Sequence, residues 1–107
     1  MKQITPTQLQ ERLQSDEKHS VVLLDVREPL EFRHAHIAGS IHIPMQEVPR
    51  RLNELGPDAE IVVICHHGMR SAQVAGFLEG RGFSNVTNLS GGIDAWSVQV
   101  DPSLPRY

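Results

Sequence analysis

The chain has 107 residues, 39% of them hydrophobic and 21% charged, which is enough for one compact core and too little for two. Its formal net charge is -3 and its lysines and arginines form no run, so the charge pattern does not favour nucleic-acid or acidic-membrane binding. No apolar stretch approaches the ~20 residues that span a bilayer, and residues 1–6 lack the apolar segment of a secretory signal. We expect a single cytoplasmic domain over residues 1–107.

Helices and strands alternate in the first half of the chain. Thr5–Gln8 offers a capping residue, a proline for the first helical position and a glutamine that can close a capping box, so it predicts a helix start. Ser20–Val26 is apolar and β-branched, which predicts a buried strand. We then expect a short helix from Pro29, and a turn and short strand in Ile37–Ile43 that Pro44 closes.

The second half continues this alternation. Val48–Leu55 has inward-facing leucines and a glycine stop, and it predicts a helix. Ile61–Ile64 is apolar on both faces, which is typical of the centre of a parallel sheet covered by helices. The other predicted elements are a helix over Arg70–Glu79, a strand over Val86–Leu89, a helix over Ile93–Trp96 and an irregular tail over Asp101–Tyr107 that docks through Leu104 and Tyr107.

This alternation predicts an α/β fold with a mostly parallel sheet and, because the crossovers are right-handed, helices on both of its faces. In such sheets the functional site lies beyond the carboxyl ends of the strands. That rule directs attention to the residues just after Val26 and just after Ile64.

The second of these places holds the only cysteine of the chain, Cys65. A tight turn must follow it, for which Gly68 supplies a residue that tolerates positive φ, and Ser71 then begins a helix. Such a strand-to-helix loop directs backbone N–H groups inward as an anion-binding nest, and the helix start and Arg70 add positive potential.

Two interpretations of this cysteine follow. Near a helix N-terminus and cations the pKa of a thiol falls from ~8.5 to ~3.5–7.5, which makes a nucleophile at neutral pH. A lone cysteine at a strand end can also be a small buried hydrophobic residue with no chemical role. The Gly68–Ser71 helix start favours the first interpretation.

The order and spacing of several motifs resemble the rhodanese-like domain family, over nearly the whole chain. The matching segments are Asp25-Val26-Arg27-Glu28, Glu31-Phe32, His36-Ile37-Ala38-Gly39-Ser40, Ile43-Pro44, the loop Cys65–Ser71, and Asn88-Leu89-Ser90-Gly91-Gly92 with Trp96. The size resembles the single-domain thiosulfate sulfurtransferases of that family.

This resemblance implies a three-layer α/β/α fold with five strands, and catalysis through a persulfide on Cys65. Sulfur would come from a small donor such as thiosulfate and pass to cyanide or a thiol, including the thiol of a partner protein. The implied substrate-binding residues are those of the loop, His66, His67, Gly68, Met69, Arg70 and Ser71. In the family Asp25 and Arg27 usually buttress the site, although Arg27 could also contact substrate.

Other functions stay open at this point. Phosphatases and arsenate reductases also place a cysteine before an arginine, but the phosphatases that share the fold have one residue more than the six from Cys65 to Arg70. A non-catalytic interaction module is a second alternative, which the retained Cys65 and Arg70 weaken. Arg70 itself has two possible roles, contact with the sulfonate of thiosulfate or an ion pair with Glu31 or Asp25.

No metal or organic cofactor is expected. Zinc needs several converging ligands, and we expect the consecutive side chains of Cys65, His66 and His67 to diverge. Both histidines are therefore interpreted as loop-lining or surface residues. The tail Asp101–Tyr107 could also cover part of the site.

Overall fold

A computed structural model describes residues 2–15 and 21–107, and a five-stranded sheet organises them. The strands in chain order are β1 Lys2–Ile4, β2 Val21–Asp25, β3 Ile41–His42, β4 Glu60–Ile64 and β5 Val86–Leu89. Their spatial order is β1-β5-β4-β2-β3, and each neighbouring pair is parallel. The predicted α/β class with a parallel sheet is confirmed.

Helices cover both faces of this sheet. They are α1 Pro6–Gln14, α2 Pro29–His34, α3 Met69–Gly80 and α4 Gly92–Gln99, with two 3₁₀ helices at Met45–Arg50 and Leu52–Glu54. One apolar core joins α3 and the first 3₁₀ helix to one face through residues such as Val48, Val63 and Leu78. The other joins α1 and α4 to the opposite face through Leu9 and Trp96, so the three-layer arrangement is confirmed.

Most element boundaries agree with the sequence pattern. Helix α1 begins with the capping box of Thr5 and Gln8, whose two side-chain bonds to backbone N–H groups measure 3.1 and 3.0 Å. Helix α2 begins at Pro29 as predicted. The predicted first residue of β2, Ser20, lies outside the described residues.

One predicted helix needs correction, and one strand was not predicted. The helix expected over Val48–Leu55 is a pair of 3₁₀ helices that begins earlier, at Met45, and breaks at Arg51. Pro49 lies inside the first of them, and a proline without an N–H cannot continue an α-helical ladder. Strand β1 was not predicted from the residues, because three largely exposed residues carry no alternation to detect.

The sheet brings the two places selected by the strand-end rule side by side. Asp25 at the end of β2 lies in register with Ile64 at the end of β4, and the Val26 amide donates to the Ile64 carbonyl at 3.0 Å. The segments that leave these two strands therefore start as neighbours at the centre of the sheet. Within the described ranges no helix has both the length and the apolar character needed to cross a membrane.

Candidate active site

The loop after β4 holds the sulfur of Cys65 in a polar environment although it is buried. Cys65 is 1% exposed, the Gly68 amide donates to its Sγ at 3.0 Å, and the Ser71 hydroxyl oxygen lies 3.2 Å from the same sulfur. Helix α3 begins directly after Gly68, so the sulfur lies at the positive end of this helix. The site combines a covered sulfur with a backbone donor and a helix N-terminus that can stabilise negative charge on it.

Gly68 makes this geometry possible. Its φ is +102°, in the left-handed region that side chains other than glycine rarely adopt. A Cβ atom there would lie 3.2 Å from the Gly91 backbone nitrogen and 3.4 Å from the Leu89 carbonyl. The loop can turn back towards Cys65 only because this position lacks a side chain.

The start of α4 supports the loop from behind. The Ile93 amide donates to the Cys65 carbonyl at 2.8 Å, and the Asp94 amide donates to the His66 carbonyl at 3.1 Å. A Cβ on Gly92 would lie 2.4 Å from both of these carbonyl oxygens, and the φ of Gly92 is +61°. Gly92 thus lets the first amides of α4 approach the loop and fix its carbonyls.

Arg70 forms an ion pair with Glu31 of α2, one of the two roles left open by the sequence. Its two terminal nitrogens donate to the two carboxylate oxygens at 2.8 and 2.9 Å. This bidentate contact raises the pKa of Arg70 and lowers the pKa of Glu31 to about 2. The Arg70 side chain stays 35% exposed, so it can still be reached from solvent.

Asp25 and Arg27 form a pair of a different kind, with no exposed surface on either side chain. Arg27 donates to the Asp25 carboxylate at 2.7 to 3.1 Å and to the Ala35 carbonyl at 2.5 Å. Burial opposes the charge of Arg27, but the bonds to Asp25 outweigh it and the pKa of Arg27 is raised. The pair buttresses the segment after β2 and has no surface open to a substrate.

The tail lies over this region. The Tyr107 ring stacks on His66 with centroids 4.0 Å apart, and its hydroxyl accepts from Arg27 at 2.7 Å and donates to Glu31 at 3.0 Å. Leu104 packs against the core beneath α1 and α4. The predicted docking of Leu104 and Tyr107 is confirmed, and Tyr107 contacts the candidate site itself.

The two histidines of the loop do not diverge, so that prediction was wrong. Their rings stack with centroids 3.9 Å apart, and ligand atoms of His66, His67 and Asp94 lie within 4.8 Å of one another. The Asp94 carboxylate, however, already accepts two bonds from Arg106 at 2.8 and 3.1 Å. Burial lowers the pKa of His66, and the neighbouring His67 lowers it further.

The remaining loop residues differ in depth. Met69 is 76% exposed and lies at the outer surface, whereas Ser71 is fully buried beside the sulfur. Sequence reasoning gave no role to Asn88, yet its side chain accepts from the Ser71 hydroxyl and donates to the Gly68 carbonyl at 3.1 Å. The signal that could have indicated it is an asparagine, a residue type depleted in strands, within the predicted strand Val86–Leu89.

In this parallel sheet the central strand ends in a cysteine, and a tight loop joins that cysteine to a helix. These two features define a class of α/β domains with a cysteine loop at a strand end. Within that class, residues 5–99 match the rhodanese-like domain family. The chain belongs to this family, as the resemblance implied.

Individual proteins that resemble this chain have names that fit the same family. The thiosulfate sulfurtransferase GlpE of Pseudomonas syringae is 36% identical over 86 residues, which cover 80% of this chain and 81% of GlpE. The crystal structure of a rhodanese-like domain protein from Staphylococcus aureus matches with a TM-score of 0.86 and 32% identity, over 100% of this chain and 99% of that one.

A third relative is longer than this chain. YrkF of Bacillus subtilis, named as a sulfur carrier protein, is 42% identical over 91 residues, which cover 85% of this chain but 48% of YrkF. The chain therefore spans about half the length of that relative.

Proposed function

We propose that this chain is a sulfurtransferase that carries sulfane sulfur as a persulfide on Cys65. The Sγ of Cys65 at the start of α3, with the Gly68 amide donating to it at 3.0 Å, is the observation that carries this proposal. A backbone donor and a helix N-terminus stabilise a sulfur anion before reaction and a charged persulfide after it. In this proposal residues 1–107 act as one cytoplasmic domain.

The reaction has two displacement steps. The Cys65 thiolate attacks the outer sulfur of thiosulfate, the bond between the two thiosulfate sulfurs breaks, and sulfite leaves with its electron pair. The persulfide then carries the negative charge on its terminal sulfur. Cyanide or a thiolate attacks that sulfur, and the electron pair of the S–S bond returns to Cys65, which completes a ping-pong cycle without any metal or organic cofactor.

The other residues of the loop have supporting roles in this scheme. The loop from His66 to Ser71 surrounds the added sulfur, and Arg70 contributes a positive charge close to Cys65. The terminal sulfur lies ~2 Å beyond Sγ, the length of an S–S bond, and so closer to an acceptor than the covered thiol. Asp25 and Arg27 act only by holding the neighbouring segment in place.

The family supports sulfur chemistry over phosphate chemistry. GlpE, which the chain covers over most of its length, is named a thiosulfate sulfurtransferase, and YrkF is named as a sulfur carrier. A thiol protein is therefore a suitable acceptor beside small thiols. The loop of six residues from Cys65 to Arg70 makes a small ring of amides that suits a single sulfur atom better than a phosphate group.

Turnover of thiosulfate with cyanide tests this function. We expect parallel lines in a double-reciprocal plot at several cyanide concentrations, and a loss of more than ~10³-fold on Cys65→Ser, because Cys65 is the only thiol of the chain. Val98→Leu, at an exposed position of α4 outside the loop, is the control and should keep most of the activity. Full activity of Cys65→Ser, or hydrolysis of an aryl phosphate that depends on Cys65, would contradict the proposal.

A further inference from the structure

A line of polar side chains connects the sheet edge to the sulfur of Cys65. Gln3 on β1 accepts from the Asn88 side-chain amide at 3.0 Å, Asn88 on β5 accepts from the Ser71 hydroxyl, and the Ser71 oxygen lies 3.2 Å from Sγ. Asn88 is 4% exposed and Ser71 is fully buried, so water does not compete for the two contacts nearest the sulfur. The line ends at the atom that the proposed function makes the sulfur carrier.

The direction of each bond in this line is fixed by one backbone group. The Gly68 carbonyl can only accept, and it receives the Asn88 side-chain nitrogen at 3.1 Å. The amide oxygen of Asn88 must then face Ser71. Ser71 has a single hydroxyl proton, and while it donates this proton to Asn88, its oxygen meets the sulfur of Cys65 only as an acceptor.

We propose that Asn88 is a positioning residue that accepts the hydroxyl proton of Ser71 and so keeps Ser71 from donating it to the sulfur of Cys65 before sulfur is loaded. By keeping the hydroxyl proton of Ser71, Asn88 turns Ser71 into an acceptor for the S–H group. The importance of this for turnover rests on the proposed function, whereas the hydrogen bonds and their effect on ionisation do not.

Ionisation of Cys65 works against this arrangement in either of two ways. If the Ser71 hydroxyl stays on Asn88, an oxygen lone pair faces a sulfur anion at 3.2 Å. If the hydroxyl turns to donate to the anion, the buried amide oxygen of Asn88 loses its donor. The Gly68 amide at 3.0 Å favours the thiolate, so the two residues act in opposite directions on the same sulfur.

Once the persulfide has formed, the conflict disappears. The inner sulfur then carries neither a proton nor the negative charge, which lies on the terminal sulfur. Ser71 can keep its bond to Asn88 without facing an anion. The arrangement therefore disfavours the empty thiolate specifically and leaves the loaded form untouched.

The ultraviolet absorbance of the thiolate, recorded against pH with Cys65→Ser as the blank, tests this directly, because Cys65 is the only cysteine. We expect Asn88→Leu to lower the pH of half-ionisation by about half to one unit, the size of one buried hydrogen bond. The same substitution in a Ser71→Ala background should produce little of this shift, because the effect passes through the hydroxyl. The variants alter none of the charged or titratable groups that the loop, α2, α4 and the tail place at the site, namely Arg70, Glu31, His66, His67, Asp94, Arg106, Tyr107 and the Asp25–Arg27 pair.

Asn88→Leu is compared in the wild type and in Ser71→Ala, and this comparison separates an effect of Asn88 on the Ser71 hydroxyl from its support of the loop. Loss of the bond to the Gly68 carbonyl affects both backgrounds equally, so an equal shift in both, or no shift, would overturn the proposal. A measurement that needs no change at Asn88 is the infrared S–H stretch of Cys65 at a pH below its half-ionisation. It should move to higher frequency in Ser71→Ala, and an unchanged band would also overturn the proposal.

These readouts require no sulfur donor. Failure of thiosulfate turnover together with the expected pH shift would therefore refute the proposed function and leave the role of Asn88 intact. Turnover of thiosulfate without the expected pH shift would refute the role of Asn88 and leave the proposed function intact.

Discussion

The segments that follow β2 and β4 start side by side, yet they use their polar groups in opposite ways. After β2, Asp25 and Arg27 have no exposed surface and satisfy each other and nearby carbonyls. After β4, the loop directs an amide at the sulfur of Cys65, and its arginine, Arg70, is partly exposed and pairs across to α2. A fully paired buried charge fixes the backbone, whereas a donor close to a sulfur remains available for chemistry.

The largest effect is expected from removing one partner of the buried pair after β2. Arg27→Met leaves the Asp25 carboxylate buried without its partner, and we expect a loss of about 3–5 kcal/mol in the free energy of unfolding. Urea denaturation measures it. The matched change on the β4 side, Arg70→Met, should cost about 1 kcal/mol or less, because that pair is partly exposed.

Replacing both partners of the buried pair tests whether the unpaired charge causes this loss. Asp25→Leu combined with Arg27→Met removes both charges, and it should recover part of the stability lost in Arg27→Met alone. Equal losses for Arg27→Met and Arg70→Met would contradict the contrast between the two segments.

The second prediction concerns the packing that fixes the β4 loop. Gly92→Ala places a Cβ 2.4 Å from the Cys65 and His66 carbonyl oxygens at a φ of +61°, so the loop must shift. We expect a loss of about 3 kcal/mol in the free energy of unfolding, from strain and overpacking together.

Gly39→Ala is the matched control for that substitution. Gly39 also has a positive φ, +87°, but no atom lies within 4 Å of its Cβ position, so only the backbone strain of about 1–2 kcal/mol applies. Sulfur transfer should fall in Gly92→Ala and remain in Gly39→Ala. The prediction fails if both variants lose the same stability and the same activity.

The smallest expected effect is the pH dependence of the pair between Glu31 and Arg70. The pKa of Glu31 falls from 4.5 to about 2 on folding, chiefly through its hydrogen bonds with Arg70. Because the folded pKa is the lower one, the stabilisation is fully present above pH 4.5 and is lost as the pH falls towards 2. We expect about 1 kcal/mol or less at this partly exposed pair.

Glu31→Gln measures that contribution. The difference in unfolding free energy between the wild type and this variant should be present at neutral pH, fall below pH 4.5 and disappear as the pH falls through about 2. A difference that does not change with pH would show that the carboxylate charge is not its source.

Much of the fold could be predicted because local signals agree with it. Thr5 and Gln8 cap α1 as their spacing predicts, and Ile61–Ile64 lies in the sheet centre as a strand apolar on both faces should. Strand β1 and the 3₁₀ segment at Met45–Arg50 left no such signal. Their conformations depend on neighbours distant in sequence, β5 for the one and α3 for the other.

The candidate site also has a part that could be predicted from the sequence and a part that could not. The strand-end rule and the glycine in Cys65–Ser71 directed attention to the loop from sequence alone. The pairing of Arg70 with Glu31 and the docking of Tyr107 were among the expectations, but the polar side chains behind Ser71 were not, because they lie on strands distant in sequence. Asn88 lies on β5, Gln3 on β1 and Glu31 on α2, and the Tyr107 ring arrives from the tail.

Whether Cys65 carries sulfur can be read from the mass of the intact protein after incubation with thiosulfate. We expect the addition of one sulfur atom, located on Cys65 by fragmentation, absent from Cys65→Ser and removed by cyanide with release of thiocyanate. An unchanged mass in active protein, or an adduct on a residue other than Cys65, would contradict it.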